Sequence, residues 1–215
     1  MKLGLIGTPV HQSISPELQK ILFDTFNLED CTYEKNDISS EELSSFFDAF
    51  KAGAFDGINI TIPHKEHGLE FVDEFDESVK ILGNANCITR KGNSLKGYNT
   101  DLYGFEMMLH HNDISVESKH CLVLGAGGSS KTIVKALIDA HAASITIKNK
   151  SMENALKIQA YAQAISDIDI QIFDKADIKF DLAINTTPLG MYQQDDKDNF
   201  FNIPIHQDSI LIDLI

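Results

Sequence analysis

The run His120-Cys121-Leu122-Val123-Leu124 is apolar and of strand length. It stops at the turn Gly125-Ala126-Gly127-Gly128-Ser129, which opens a helical pattern reaching His141. A strand that feeds a tight turn and then a helix calls for a further strand beside the first, so this segment demands a parallel sheet covered by helices. The rest of the chain obeys the same alternation. A strand at Ser144 to Lys148 precedes a helix from Ser151 to about Ala164, and strands follow at Ile168 to Phe173, Leu182 to Asn185 and Ile210 to Leu214. The polar stretch Gln193 to Asn199 reads as an exposed loop.

The first half alternates likewise. Strands are expected at Lys2 to Ile6, Cys31 to Lys35 and Gly57 to Ile62, the last stopped by Pro63. Ser15-Pro16 opens a helix in which Leu18, Ile21, Leu22, Phe26 and Leu28 recur at helical spacing. Ser39 and Glu42 form a capping box before a helix carrying Leu43, Phe46, Phe47 and Phe50. A helix at Asp76 to Leu82 precedes a hairpin of Asn86 to Thr89 and Ser94 to Tyr98 around Gly92-Asn93. The expected class is α/β, with a mostly parallel first domain at 1–101 and a second domain at 102–215. A helix from about Leu102 to His111 connects them. At 215 residues and 43% hydrophobic content, the chain can bury a core for each.

A net charge of −14 repels phosphate backbones and anionic lipid, which disfavours nucleic acid and membrane partners and leaves small molecules. The three cysteines, Cys31, Cys87 and Cys121, have no metal or disulfide spacing, and Cys31 and Cys121 fall in expected strands as small core residues. No apolar run nears the roughly 20 residues that span a bilayer, and the N-terminus reads as a first strand, so a cytoplasmic protein is expected. The histidines show no metal-site spacing, and His110-His111 reads as a helix end; no metal is expected.

The glycine-rich turn suits a dinucleotide. Gly125 allows the tight turn, Gly127 lets the backbone approach a pyrophosphate, and Gly128 with the next amides forms a helix N-terminus that favours an anion. Ser130 stands where the third glycine of the usual pattern would be. The following strand ends in Lys148-Asn149-Lys150-Ser151, without the acid that binds a ribose 2′-hydroxyl. A lysine and an amide there attract a 2′-phosphate, which favours NADP over NAD; a merely solvated turn is the alternative.

Three segments of the first half, HQSISP, NITIPHK and GYNTD, belong at the C-terminal ends of strands, where open α/β sheets bind ligands. Ser13 and Ser15 before a helix make a carboxylate-binding corner, unless Ser15 is only an N-cap. Lys65 near a desolvated cleft can act as a base, and Asp101 can hold it by a charge-assisted hydrogen bond. Surface placement of both is the plain alternative. Asn59, Asn86 and Asn99 either add polar groups there or satisfy loop backbone.

Taken together, GTPVHQSISP, DGINITIPHK, GNANCI, GYNTD, LGAGGSSK, NKSM, INTTPLGM and DLI, in this order, resemble the shikimate dehydrogenases. The resemblance implies a substrate domain followed by a Rossmann-like NADP domain, and reversible reduction of 3-dehydroshikimate to shikimate in aromatic amino-acid biosynthesis. It implies that Ser13 and Ser15 hold the substrate carboxylate and that Thr61, Asn86 and Asp101 bind ring hydroxyls. Lys65 and Asp101 would be catalytic. Gly125, Ala126, Gly127, Gly128 and Ser129 would cradle the pyrophosphate, with Asn149, Lys150 and Ser151 on the 2′-phosphate. Glu77 and Leu214 align with cofactor-side positions. The implied molecule is a monomer or homodimer.

Several positions depart from the family pattern. Gln12 stands where the family has histidine. Cys87 replaces a threonine. Lys150 and Asn154 stand where the phosphate clamp has arginines, which should weaken NADP binding and its preference over NAD. The chain stops at Asp213-Leu214-Ile215, before the family's Y-x-P segment and a later glutamine, so the NADP domain is expected to lack its C-terminal part and turnover to be weak or absent. The alternatives are an inactive remnant or binding protein of the same fold, and a quinate/shikimate dehydrogenase using NAD.

Overall fold

The computed structural model describes residues 1–174, 179–190, 202–203 and 205–214. The stretch Gln193 to Asn199 lies outside them. The chain divides into two compact units, Met1–Thr100 and Asp101–Ile215.

The first unit contains β1 (Lys2–Gly7), α1 (Ser15–Thr25), β2 (Thr32–Asp37), α2 (Leu43–Lys51), β3 (Gly57–Ile60), β4 (Glu74–Phe75), α3 (Glu77–Leu82), β5 (Cys87–Lys91) and β6 (Ser94–Tyr98). The sheet order is β2-β1-β3-β5-β6-β4. β1 runs parallel to β2 and β3, β4 parallel to β6, while β3/β5 and β5/β6 are antiparallel. Strand alternation sends Ile6, Ile58, Ile60 and Ile88 into one core with Leu43, Phe47 and Phe50 of α2. Phe47 stacks on Phe71 with centroids 4.8 Å apart.

Two expectations change. Cys31 lies just before β2 and is half-buried, because the strand starts at Thr32. The α1 helix ends at Thr25 and has no buried residue: Leu18, Ile21 and Leu22 within it, and Phe26 and Leu28 just beyond it, are all exposed.

α3 starts where Asp76 caps it, its carboxylate accepting from Ser78 N at 2.8 Å and from the Ser78 hydroxyl. The Ser78 hydroxyl accepts in turn from Asn99 N at 3.0 Å, fixing the end of β6. The bonds from Ser78 hold the Asp76 carboxyl below its ordinary value. A depressed folded-state value means the contribution is complete above the unfolded carboxyl range and is lost as pH falls through it. Tm is therefore expected to fall below about pH 4, and Asp76→Ala to cost about 1 kcal/mol at neutral pH and to flatten part of that acid limb. Thermal melts across pH check both.

The second unit contains α4 (Asp101–His111), β7 (His120–Leu124), α5 (Gly128–Asp139), β8 (Ser144–Lys148), α6 (Met152–Ile165), β9 (Asp169–Ile172), β10 (Phe180–Asn185) and β11 (Ile205–Asp213). All pairs in the order β11-β10-β7-β8-β9 are parallel. On one face Ile133, Val134 and Leu137 of α5 and Ala155, Ile158 and Ala162 of α6 meet Val123, Ile145 and Ile147. The other face carries Leu122, Leu124, Phe180 and Ala183, with Phe173, Leu189 and Ile203 against it. β10 and β11 begin earlier than the apolar runs suggest, at Phe180 and Ile205. Among the described residues no helix is long and apolar enough to cross a membrane.

Candidate active site

Each sheet has a point where the strand order reverses, and in open α/β sheets ligands bind beyond the C-terminal ends of the strands at that point. In the first unit the reversal lies between β1 and β3, since β1 leads to β2 on one side and β3 joins on the other. The loops leaving β1 and β3 meet there: Thr8 N donates to Ile62 O at 3.0 Å and Thr61 N to Ile6 O at 2.9 Å. Gly7 permits this closeness, because a Cβ on it would sit 2.5 Å from Thr61 Cγ2 and 2.8 Å from Ile62 O. Ser13, Ser15, Thr61 and Lys65 all leave these two strand ends, and all are half-buried.

The serine corner is tied together. The Ser13 hydroxyl donates to Ser15 Oγ at 2.9 Å and accepts from Ser15 N at 3.2 Å. Ser15 is not the N-cap of α1, because the cap is Ile14 and Ser15 is the first helical residue. Its hydroxyl is thereby released from capping. Lys35 on β2 donates to His11 O at 2.9 Å and Ser13 O at 2.8 Å, clamping the loop that presents Ser13. Sequence reasoning passed over Lys35 and Tyr33. The available signal was a polar residue at alternate positions of a strand next to the reversal point.

The asparagines continue the site. Asn86 donates to Thr100 Oγ1 at 2.9 Å and accepts from Thr100 N at 2.9 Å, so it fixes the chain just before Asp101. Asn59 donates to Asn86 O at 3.3 Å and accepts from the Tyr33 hydroxyl at 2.8 Å. Asn99 is buried on Asn84 Oδ1 at 2.5 Å and is structural. Burial pushes the Cys87 thiol up, so it stays neutral at physiological pH. Glu77 is the first residue of α3, exposed and paired with Lys80 at 3.3 Å. His64, next to Lys65, is fully buried, its Nε2 2.6 Å from Ile38 O.

In the second unit the reversal lies between β7 and β10. Gly125, at the end of β7, has φ +112, and a Cβ there would meet Thr186 Oγ1 at 2.5 Å. Ser130 replaces the usual third glycine with a function of its own. Buried at the foot of α5, its hydroxyl accepts from Gly127 N at 3.2 Å and lies 2.6 Å from Thr186 Oγ1. A Cβ on Gly127 or Gly128 would point into open space, so the first turn of α5 presents an unobstructed backbone. Ala126 precedes this turn and Ser129 lies within it, where an α-helix leaves its N–H groups without internal partners. This cradle fits a pyrophosphate.

The turn after β8 is shaped by its own side chains. Asn149 donates to Ser151 O at 2.9 Å, and Ser151 caps α6 by accepting from Asn154 N at 3.3 Å. Lys150 is exposed, and Lys148 lies 4.7 Å over the Phe173 ring. No acid stands on this turn. Leu214, after β11, is exposed and its N–H donates to Asn185 O at 3.1 Å. Asp101 is the first residue of α4 and half-buried. Among the described residues no group of three His, Cys, Asp or Glu could hold a metal.

Residues 5–88 match the family model described as the shikimate dehydrogenase substrate binding domain, and residues 108–190 match that of shikimate/quinate 5-dehydrogenase. The shikimate dehydrogenase (NADP(+)) of Nitrosopumilus maritimus is 31% identical over 216 residues, an alignment covering 99% of this chain and 78% of that protein. The chain belongs to the shikimate dehydrogenase family. The corresponding protein of Clostridium beijerinckii is 32% identical, with 99% of this chain and 77% of that one covered. Among solved structures, the shikimate dehydrogenase of Aquifex aeolicus superposes with a TM-score of 0.87 at 30% identity, covering 100% of this chain and 79% of its own. A shikimate dehydrogenase solved in complex with NADP+ gives 0.88 at 29% identity, covering 100% and 76%. As a shikimate dehydrogenase family member, the chain shares with these structures the α/β class and the Rossmann-like second unit.

Proposed function

We propose that this chain is an NADP-dependent shikimate dehydrogenase that interconverts 3-dehydroshikimate and shikimate. The observation that carries the reading is the gathering of Ser13, Ser15, Thr61 and Lys65 at the strand-order reversal of a unit matching the family's substrate domain. The two serine hydroxyls, at the start of α1, suit a carboxylate. Thr61, Asn86 and Asp101 take the ring hydroxyls. Gly125 to Ser129 cradle the pyrophosphate, and Asn149, Lys150 and Ser151 face the 2′-phosphate, with Glu77 and Leu214 on the cofactor side. When bound, the nicotinamide supplies the hydride in reduction and accepts it in oxidation. Lys65 gives a proton to the substrate oxygen in reduction and takes it back in oxidation, and Asp101 orients the same hydroxyl.

Reduced-nicotinamide absorbance tests this with shikimate or quinate, each with NADP or NAD. Whatever turnover the chain supports, weak as it is expected to be, should appear with shikimate and NADP ahead of the other three pairings. A chain that turns over quinate with NAD in preference sinks the reading, and one that shows no thermal shift with either cofactor removes its nucleotide half. Lys150→Glu is expected to weaken NADP binding about tenfold or more relative to NAD, by placing a like charge against the 2′-phosphate. Titration with both cofactors measures the ratio.

A further inference from the structure

We propose that Tyr33 is a positioning residue that orients Asn59 toward a ring hydroxyl of the substrate. This rests on the reading of the first unit as the substrate site. Tyr33 on β2 and Asn59 on β3 flank the central strand β1, in register with Leu3 and Leu5 on the same face of the sheet. Gly57 shares the Leu3 row, where a Cβ would lie 3.3 Å from Leu3 Cδ2.

The hydrogen bonds run in one direction. The Tyr33 hydroxyl donates to Asn59 Oδ1 at 2.8 Å. Asn59 Nδ2 then donates to Asn86 O at 3.3 Å. An amide that must give a proton to a carbonyl on one side must turn its oxygen to the other. The Tyr33 hydroxyl supplies the proton that oxygen needs. With both ends fixed, the second Nδ2 hydrogen has one direction left, which suits an acceptor such as a substrate hydroxyl. Burial pushes the phenol up to about 12, so it remains a donor across the physiological range. Cys87, opposite Asn59 in the ladder, carries a thiol, which is too weak a hydrogen-bonding group to do the same.

The test uses Tyr33→Phe in the whole chain, which removes one oxygen and keeps the ring. Calorimetric titration with shikimate in the presence of NADP is expected to show affinity about tenfold weaker, the size of one well-placed hydrogen bond. Titration with cyclohex-1-enecarboxylate, which has the carboxylate but no ring hydroxyls, is expected to show no loss. Tm is expected to fall by no more than about 4 °C, the worth of one lost hydrogen bond. In an Asn59→Ala background the Tyr33→Phe effect should vanish. Unchanged shikimate affinity, equal losses for both ligands, a larger fall in Tm, or an effect that persists without Asn59 each overturns the assignment of Tyr33. A native chain that binds no shikimate overturns this assignment and the site reading together.

Discussion

Replacing Lys65 by methionine is expected to lower turnover about 10²–10⁴-fold, the usual worth of a positioned acid or base. Shikimate affinity should change much less, by about tenfold at most, because the carboxylate and the other hydroxyls keep their partners. Lys65→Arg separates two roles. A guanidinium keeps the charge but does not give up its proton in proteins. If Lys65 carries the proton, arginine is nearly as inactive as methionine. If it serves only as a fixed charge, arginine restores most of the rate. Steady-state kinetics beside calorimetric binding gives both readings, and restoration by arginine would sink the proton-carrier role. The residue is well placed for such chemistry, being half-buried and only a few positions beyond β3 at the strand-order reversal.

Gly125→Val should be the most disruptive single change in the second unit. The residue has φ +112, a conformation that a β-branched side chain strongly resists, and its Cβ would lie 2.5 Å from Thr186 Oγ1 and 3.1 Å from Thr187 Cγ2. Thr186 has little room to give way, because its hydroxyl donates to Leu124 O at 2.8 Å and meets Ser130 Oγ at 2.6 Å. Backbone strain and the clash together are expected to cost about 3–5 kcal/mol, with a fall in Tm of about 10 °C or more and loss of the NADP-induced thermal shift. Gly127→Ala is the contrast. Its Cβ meets nothing, so stability should hold while NADP affinity falls, because the methyl would occupy the space the pyrophosphate needs. Equal melting of the two variants would show that the turn is not built as described.

The resemblance carried much of the functional reading, and the reasons are local. A tight turn between strand and helix needs glycine wherever the chain lies, so the LGAGGSSK segment was legible without coordinates. The lack of an acid after β8 was legible for the same reason. Tyr33 and Lys35 were not. Each touches groups far away in the sequence, Tyr33 reaching Asn59 and Lys35 reaching the carbonyls of His11 and Ser13. The helical period of α1 was also plain, yet it did not reveal that the apolar stripe stays exposed, since burial depends on what packs against it. Ser15 shows the same limit: a serine before a proline at a helix start looks like a cap, and only the backbone angles place it inside the helix.

By itself the sequence determined what depends on neighbours along the chain: the alternation of strands and helices, the glycine turn, and the family that the ordered motifs belong to. The tertiary structure decided which side chains meet. Sheet order brings the ends of β1 and β3 together in one unit and those of β7 and β10 in the other. Those pairings arise from strands distant in sequence, and hydrogen bonds across them carry no short-range signal.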